Sequence, residues 1–297
     1  MKLFIPFLLF LLNMTASAQF KKIDRSTNNL QGAVKSITTV YHRAEEKFGE
    51  LTKQSIQMTE TEEYNKDGLL TFSKLVIGSS TTRTTYKYDK ANNLIEKKED
   101  EDGEATLVQA IYNADGKEIE LNTFDKKGAL ETKLKKKYNE QGQLITASLY
   151  NGDGTLREKE TFSYNEKKYL DEKTTSNAKG EEKKMSTYKF SDKGLLLEEI
   201  TFTYEKLISF VYYVNKYDDK DRVILKKKSL PDGESFEDTK IEYDTFGNIT
   251  NEFTNADNYQ KDKYTYDTRN NWTMSVREWN YFKNKRKYII ERSIKYY

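Results

Sequence analysis

No cysteine occurs in the 297 residues, histidine occurs once, at His42, and proline twice. Without thiols there are no disulfides, no thiolate nucleophile and no sulfur ligands for zinc, and one imidazole cannot supply the nitrogen ligands instead. Ser–His catalysis would rest on His42 alone, which beside Tyr41 has the setting of a strand-face residue. No Gly-rich phosphate loop follows a strand and opens a helix. The missing cysteine also excludes a lipobox, and with it bacterial lipid anchoring. Charge of one sign is lacking too: 50 basic against 48 acidic residues leave a formal +2, so no large field steers nucleic acid or a membrane surface. The runs Lys135 to Lys137, Lys226 to Lys228 and Lys283 to Lys287 are expected to be solvated strand faces that discourage edge pairing.

Long apolar stretches are confined to the start. Lys2, an apolar run from Leu3 to Leu12 and the small residues Ala16-Ser17-Ala18 form a secretory signal peptide in residues 1–18. The run is well short of the roughly 20 residues that span a bilayer. The expected mature chain starts at Gln19, is soluble, and works in the periplasm or outside the cell. Only 36% of residues are hydrophobic while 33% are charged, and mean hydropathy is −0.90. That is thin for a compact globule of this length; a curved sheet that buries one face accommodates it, and the 22 Tyr and 15 Phe in register argue against disorder.

What the chain has in abundance is a repeat. An aromatic residue recurs 23 to 27 residues apart at Tyr64, Tyr88, Tyr112, Tyr138, Tyr164, Phe190, Tyr217, Tyr243 and Tyr266, the signature of a repeat architecture. Each is followed by a short polar residue able to bond backbone two positions on: Asn65, Asp89, Asn113, Asn139, Asn165, Ser191, Asp218, Asp244 and Asp267. Position five is Gly68, Asn92, Gly116, Gly142, Lys168, Gly194, Asp221, Gly247 or Asn270. All but Lys168 are residues that tolerate positive φ. Position seven is Leu70, Leu94, Glu118, Leu144, Leu170, Leu196, Val223, Ile249 or Trp272, apolar except at Glu118, where Ile119 is expected to substitute. A turn opened by Asx and closed by a left-handed residue joins antiparallel strands and sets positions one and seven opposite each other. Each such pair contributes roughly 0.2–1 kcal/mol.

Weaker turns fall between these, at Glu101-Asp102-Gly103, Asp125 to Gly128, Asn151 to Gly154, Asn177 to Gly180 and Pro231-Asp232-Gly233. The remaining strands are about eight residues long. Alternation places Leu156, Phe162 and Tyr164 around Glu158 and Glu160 on one face, and Leu196, Ile200, Phe202 and Tyr204 with Glu198 on another. The expected fold is all-β: tandem β-hairpin repeats in one long, curved antiparallel meander, open or partly spiralled. Residues 19–63 are expected to cap it, with a loose lead-in over 19–31 and a hairpin of strands 33–42 and 51–63. Its connection, Arg43 to Glu50, is a loop or carries a short helix. Residues 64–297 form the repeat domain, closed by Trp272 to Trp279, a turn at Phe282 to Lys285, and Lys287 to Tyr297.

The segments Tyr86-Lys87-Tyr88-Asp89, Glu242 to Ile249 and Tyr264-Thr265-Tyr266-Asp267 resemble the Rhs/YD repeat, Tyr-x-Tyr-Asp-x-x-Gly-Arg/Asn-Leu. The resemblance runs from about Tyr64 to Trp272 and is degenerate outside those copies, where Asn replaces Asp and Lys168 or Asp221 replaces Gly. The intermediate turns also resemble, more weakly, the MORN-type repeat. The Rhs/YD resemblance implies a β-sheet that spirals into a shell, secreted or on the cell surface, in some cases around a toxin; nothing within these 297 residues resembles a toxin domain.

Chemistry is scarce. Aligned to a calcium loop, Asn151 to Gly154 puts Leu149, and Asp100 to Gly103 puts Lys98, at the first ligand position, so neither fits. The 48 acidic residues permit carboxylate pairs of the glycosidase kind, yet they alternate with lysine as solvated strand faces do. The chain is therefore expected to be non-enzymatic, with no metal and no cofactor. Trp272, Trp279, Tyr281 and Phe282 are candidate ligand-stacking residues for a sugar face or a protein partner, set against plain core packing. The expected function is a secreted scaffold or binding protein for a protein or envelope-glycan partner. The alternatives are a glycan hydrolase working through paired carboxylates, and an immunity or shell partner of a secreted toxin. Asn248-Ile249-Thr250 and Asn271-Trp272-Thr273 match the glycosylation triplet.

Overall fold

The computed structural model describes residues 20–204, 209–229 and 235–297; the leader over 1–18 and the Pro231 turn lie outside them. After one 3₁₀ turn (Arg25–Asn28), every regular element among the described residues is a strand. The series opens with β1 (Val34–Lys47), β2 (Glu50–Tyr64), β3 (Leu70–Ile77), β4 (Ser80–Tyr88) and β5 (Leu94–Glu101). Next come β6 (Glu104–Tyr112), β7 (Glu118–Phe124), β8 (Leu130–Tyr138), β9 (Leu144–Asn151) and β10 (Leu156–Tyr164). The series continues through β11 (Leu170–Asn177), β12 (Glu182–Phe190), β13 (Leu196–Thr203), β14 (Ser209–Tyr217) and β15 (Val223–Ser229). It ends with β16 (Ser235–Tyr243), β17 (Ile249–Asn255), β18 (Asn258–Tyr266), β19 (Trp272–Tyr281) and β20 (Asn284–Tyr296).

The repeat turns have the geometry their residues demand. At the first, the Gly68 N–H donates to the Asn65 carbonyl at 3.0 Å and the Asn65 N–H to the Leu69 carbonyl at 2.9 Å, while Asn65 Oδ1 accepts the Leu69 N–H at 2.9 Å. Position five is left-handed in every unit, including Lys168 at φ +65° and Asp221 at φ +60°. Positions one and seven are partners throughout, from Tyr64 with Leu70 to Tyr266 with Trp272. Glu118 itself, not Ile119, is the partner of Tyr112.

Position eight is a bulge, and it resets the alternation. Tyr64 pairs with Leu70 but Glu63 with Phe72, so Thr71 is extra and the inward face passes from Leu70 to Ser73. The same bulge follows Leu196, where Lys189 pairs with Glu198 and Ser186 with Thr201. Buried Ser186 bonds Thr201 at 2.8 Å. Ile200, Phe202 and Tyr204 therefore point outward with Glu198, and the single apolar face expected from Leu196 to Tyr204 is divided. Arg157 is a comparable extra residue: it leaves Leu156 on the outer face opposite Tyr150 while Glu160 and Phe162 turn inward.

The sheet closes. Consecutive strands pair antiparallel in one twenty-stranded sheet, and β1 pairs with β2 and also with β20, from Val34 with Tyr296 to Ala44 with Lys287. This corrects the open or spiralled meander: the result is a closed antiparallel barrel. An open sheet would leave two long edges of unpaired N–H and C=O groups; β1 and β20, at 14 and 13 residues, are long enough to satisfy one another. The Arg43 to Glu50 segment is likewise strand on both sides of a two-residue turn at Phe48-Gly49, not a loop or helix.

Buried positions face inward and gather in two clusters. Val108, Ala110, Leu121, Leu134, Ala147 and Leu149 form one, with Phe20, Tyr112 and Phe162 against it. Leu30, Val34, Ile37, Tyr64 and Leu70 form the other. Outward positions such as Arg83, Lys87, Lys135, Lys137 and Lys159 are exposed, the opposite of the apolar band on a lipid-facing barrel. No helix among the described residues is long and apolar enough to cross a membrane.

The lead-in segment is pinned where looseness was expected. Asp24 caps the 3₁₀ turn through the Ser26 N–H at 3.0 Å, and the Leu70 N–H donates to Ile23 O at 2.9 Å. The Phe20 N–H donates to Glu118 on β7 at 2.8 Å, and Asn29 Nδ2 donates to Phe246 O beside β17 at 2.8 Å. Those strands lie half a circuit apart, so the segment straps across the end of the barrel that carries the repeat turns.

Candidate functional site

Three groups of side chains have chemistry to offer: the repeat tyrosines, the charged groups on the inner wall, and the aromatics at the end opposite the repeat turns.

The repeat tyrosines are committed to structure. Between the first and last repeats the hydroxyls reach back to the position-seven carbonyl of the preceding unit: Tyr88 to Leu70 at 2.8 Å, Tyr112 to Leu94 at 2.9 Å, Tyr138 to Glu118 at 2.7 Å and Tyr164 to Leu144 at 2.9 Å. Tyr217 to Leu196 at 2.7 Å and Tyr243 to Val223 at 2.9 Å continue the ladder. Phe190 has no hydroxyl and leaves a gap. In the last repeat Tyr264 takes over the Ile249 carbonyl at 3.0 Å, while Tyr266 turns to Asp244 and Asn248. Burial pushes the Tyr88 hydroxyl up to about 12, so that hydroxyl stays a protonated donor. This ladder was not foreseen; the recurrence of Tyr over Phe at position one was its signal.

Buried charges on the inner wall occur with opposite partners. Glu118 and Lys136, both buried, lie 2.8 Å apart, Glu160 and Lys173 3.5 Å apart, and Asp262 meets Arg277 at 2.9 Å and Ser275 at 2.7 Å. The exception lies at the closure seam, where Glu60 and Glu62 of β2 face Arg292 of β20. Desolvation first, and then the neighbouring Glu62 charge, push the Glu60 carboxyl up to about 7 against the pull of Arg292. Burial also raises Glu62, although Tyr64 and Asn28 bond it. Tyr41 beside them rises to about 12, chiefly by desolvation. Arg292 lies over the Trp272 ring at 3.5 Å from its centroid.

The four aromatics expected to act together are separated. Trp272 sits at the repeat-turn end, facing inward, with Tyr264 at 5.6 Å and the Arg292 guanidinium. Trp279, Tyr281 and Phe282 are at the other end: Trp279 stacks on Tyr281 at 5.8 Å and 15°, and Phe282 meets Tyr281 edge-on at 4.3 Å. A depression of about 390 Å³ beside them is lined by Asn255, Ala256, Asp257, Asn258, Phe282 and Lys283. Phe48, at the neighbouring tip, is the residue that sequence reasoning passed over; an aromatic before Gly in a hairpin turn was the available signal. It is fully exposed, and Phe282 is 68% exposed.

His42 lies 3.2 Å from Glu291 on the strand face. Asn271 of the second glycosylation triplet is buried and bonded to Gln31 and Tyr296, so its side chain is not free for a glycan. The Asn151 turn is closed by its own backbone, with the Gly154 N–H on Asn151 O at 2.9 Å.

No curated protein matches the chain. A family model described only as an uncharacterised protein matches residues 129–217. Among solved structures, a Photorhabdus luminescens Tc holotoxin pore carrying the TccC3-D651A mutation is similar at 11% identity and a TM-score of 0.40, over 76% of this chain and 14% of that one. A porin-like protein from Bacteroides uniformis is similar at 14% identity and a TM-score of 0.37, over 90% of this chain and 99% of that one. A TcdB2-TccC3-Cdc42 complex follows at 8% identity and a TM-score of 0.35, over 81% of this chain and 16% of that one. The chain thus spans a small fraction of the Tc toxin chains it is similar to.

Proposed function

We propose that this is a non-enzymatic, exported repeat scaffold of Rhs/YD-like character that holds a protein or envelope-glycan partner at its aromatic rim. The observation that carries the reading is the group of exposed Tyr281 and Phe282 with half-buried Trp279 stacked on Tyr281, beside the Asn- and Asp-lined depression. Ring faces set among amide and carboxylate groups suit sugar stacking or anchoring of a protein. The pairing of buried carboxylates with cations supports a structural use of charge, because a glycosidase acid must titrate and its partner must reach substrate. The remaining pair, Glu60 and Glu62, is shared with Arg292. Export rests on the apolar leader alone.

A tagged mature chain should be retained on envelope extract or on a glycan array, and a Trp279→Ser, Phe282→Ser variant should lose that retention by roughly tenfold or more, the scale of a removed aromatic anchor. Equal retention of both proteins would remove the rim from the account.

A further inference from the structure

The pairing of β1 with β20 sets two hairpins side by side at the rim. The β1–β20 ladder stops at Ala44 with Lys287; beyond it the β1–β2 hairpin runs on paired only within itself to Phe48-Gly49, while the β19–β20 hairpin runs to Phe282-Lys283 with β19 still paired to β18. Both tips put phenylalanine in the left-handed region, Phe48 at φ +53° and Phe282 at φ +47°, where Gly, Asn or Asp are at ease. Both rings are also more exposed than any other large hydrophobic among the described residues. Conformation and exposure each cost free energy in the isolated chain, and only Phe282, edge-on to Tyr281, has a ring contact that offsets part of that cost.

Their flanks carry opposite charge. Over residues 45–50, Glu45, Glu46 and Glu50 outnumber Lys47, while over 282–287 Lys283, Lys285, Arg286 and Lys287 outnumber the carboxylates beside them, Asp257 against Lys283 and Glu278 against Lys285 and Lys287. Within one chain Lys287 already reaches across to Glu46. A surface that joins an acidic and a basic half around two exposed rings is self-complementary under a two-fold axis, since the acidic tip of each copy meets the basic tip of the other. An anionic lipid surface fits less well, because the three glutamates beside Phe48 would oppose it, and a neutral glycan has no use for the opposed charges.

We infer that the β1–β2 and β19–β20 hairpin tips form a two-fold interface with a second copy of this chain, with Phe48 of each copy entering the depression beside Phe282 of the other. The inference rests on the reading of the rim as a binding surface and names a second copy as its occupant.

Sedimentation velocity of the mature chain tests it. A dimer is expected that weakens as salt rises and screens the paired charges. Lys283→Glu with Lys285→Glu makes both tips acidic once Asp257 and Glu278 are counted with them, and Glu45→Lys with Glu50→Lys makes both basic; each variant alone should be monomeric. Their equimolar mixture should recover the dimer, because each supplies the charge the other lacks. Phe48→Ser should raise the dimer dissociation constant by roughly tenfold or more. These positions are exposed, and thermal melts matching the wild type would verify the fold. A monomeric wild type at about 100 μM, near −5.5 kcal/mol, or charge variants that dimerise alone, overturns the inference. So does a monomer that sediments with phosphatidylglycerol vesicles. A monomer that still needs Phe282 for envelope or glycan retention overturns the second copy and leaves the rim reading standing, whereas loss of both results removes both.

Discussion

Position five of the repeat is where backbone conformation and residue choice meet most openly. Gly247 sits at φ +89°, and Gly247→Val should destabilise the protein by about 1–3 kcal/mol because a β-branched side chain is strained there. Lys168 holds φ +65° without glycine's freedom, so Lys168→Gly should be neutral or stabilise by up to about 1 kcal/mol. In denaturant melts the Gly247→Val midpoint should fall while that of Lys168→Gly stays level or rises, and an unchanged Gly247→Val midpoint would contradict the turn geometry. The tyrosine ladder makes a second prediction at this scale. Phe190 interrupts it opposite Leu196, and Phe190→Tyr should add a hydroxyl bond to Leu170 O worth about 0.5–1.5 kcal/mol. Tyr138→Phe, which removes the 2.7 Å bond to Glu118 O, should cost a similar amount.

At the scale of the element, the turns were legible because they depend on neighbours along the chain. All the aromatic-to-position-seven pairs follow from a heptapeptide, and so does the left-handed residue inside it. What followed the turn was not legible in the same way. A bulge after Leu196 moves Ile200 and Phe202 to the outer face, and no residue type at position eight announces it; simple alternation carried past a bulge assigns the wrong face. Glu118 shows the same limit, since its polarity makes sense only beside Lys136 and the Phe20 N–H, which come from other parts of the chain. Glu118→Gln should therefore cost about 3–5 kcal/mol by removing the carboxylate charge from beside buried Lys136. Glu118→Leu with Lys136→Met should recover much of that loss. Urea melts of the single and double variants separate these outcomes, and an additive double variant would contradict a coupled pair.

For the whole molecule the decisive event is closure, and the sequence held no local sign of it: β1 and β20 are joined by register between residues some 250 apart in number. The four proposed stacking residues were separated for a related reason, as Trp272 and Trp279 belong to one strand that runs from one end of the barrel to the other. Closure also gathers Tyr41, Glu60, Glu62 and Arg292 at one seam, which gives stability a pH dependence. Glu60 is raised from 4.5 to about 7 in the fold, so the folded state favours its protonated form. That contribution is fully present below pH 4.5 and is lost as pH rises through about 7, an order-of-magnitude fall of about 3 kcal/mol. Glu60→Gln, neutral throughout, should flatten that part of the stability profile measured by denaturant melts from pH 4 to pH 8.

Closure itself can be measured directly, because the chain has no cysteine of its own. Thr38 of β1 and Ser293 of β20 are paired across the seam, and spin labels on a Thr38→Cys, Ser293→Cys variant report their separation. A closed barrel predicts one strand spacing, about 5 Å between backbones, plus the reach of the two label arms. A separation of many tens of ångströms, toward the roughly 90 Å width of a flat twenty-strand sheet, would contradict it.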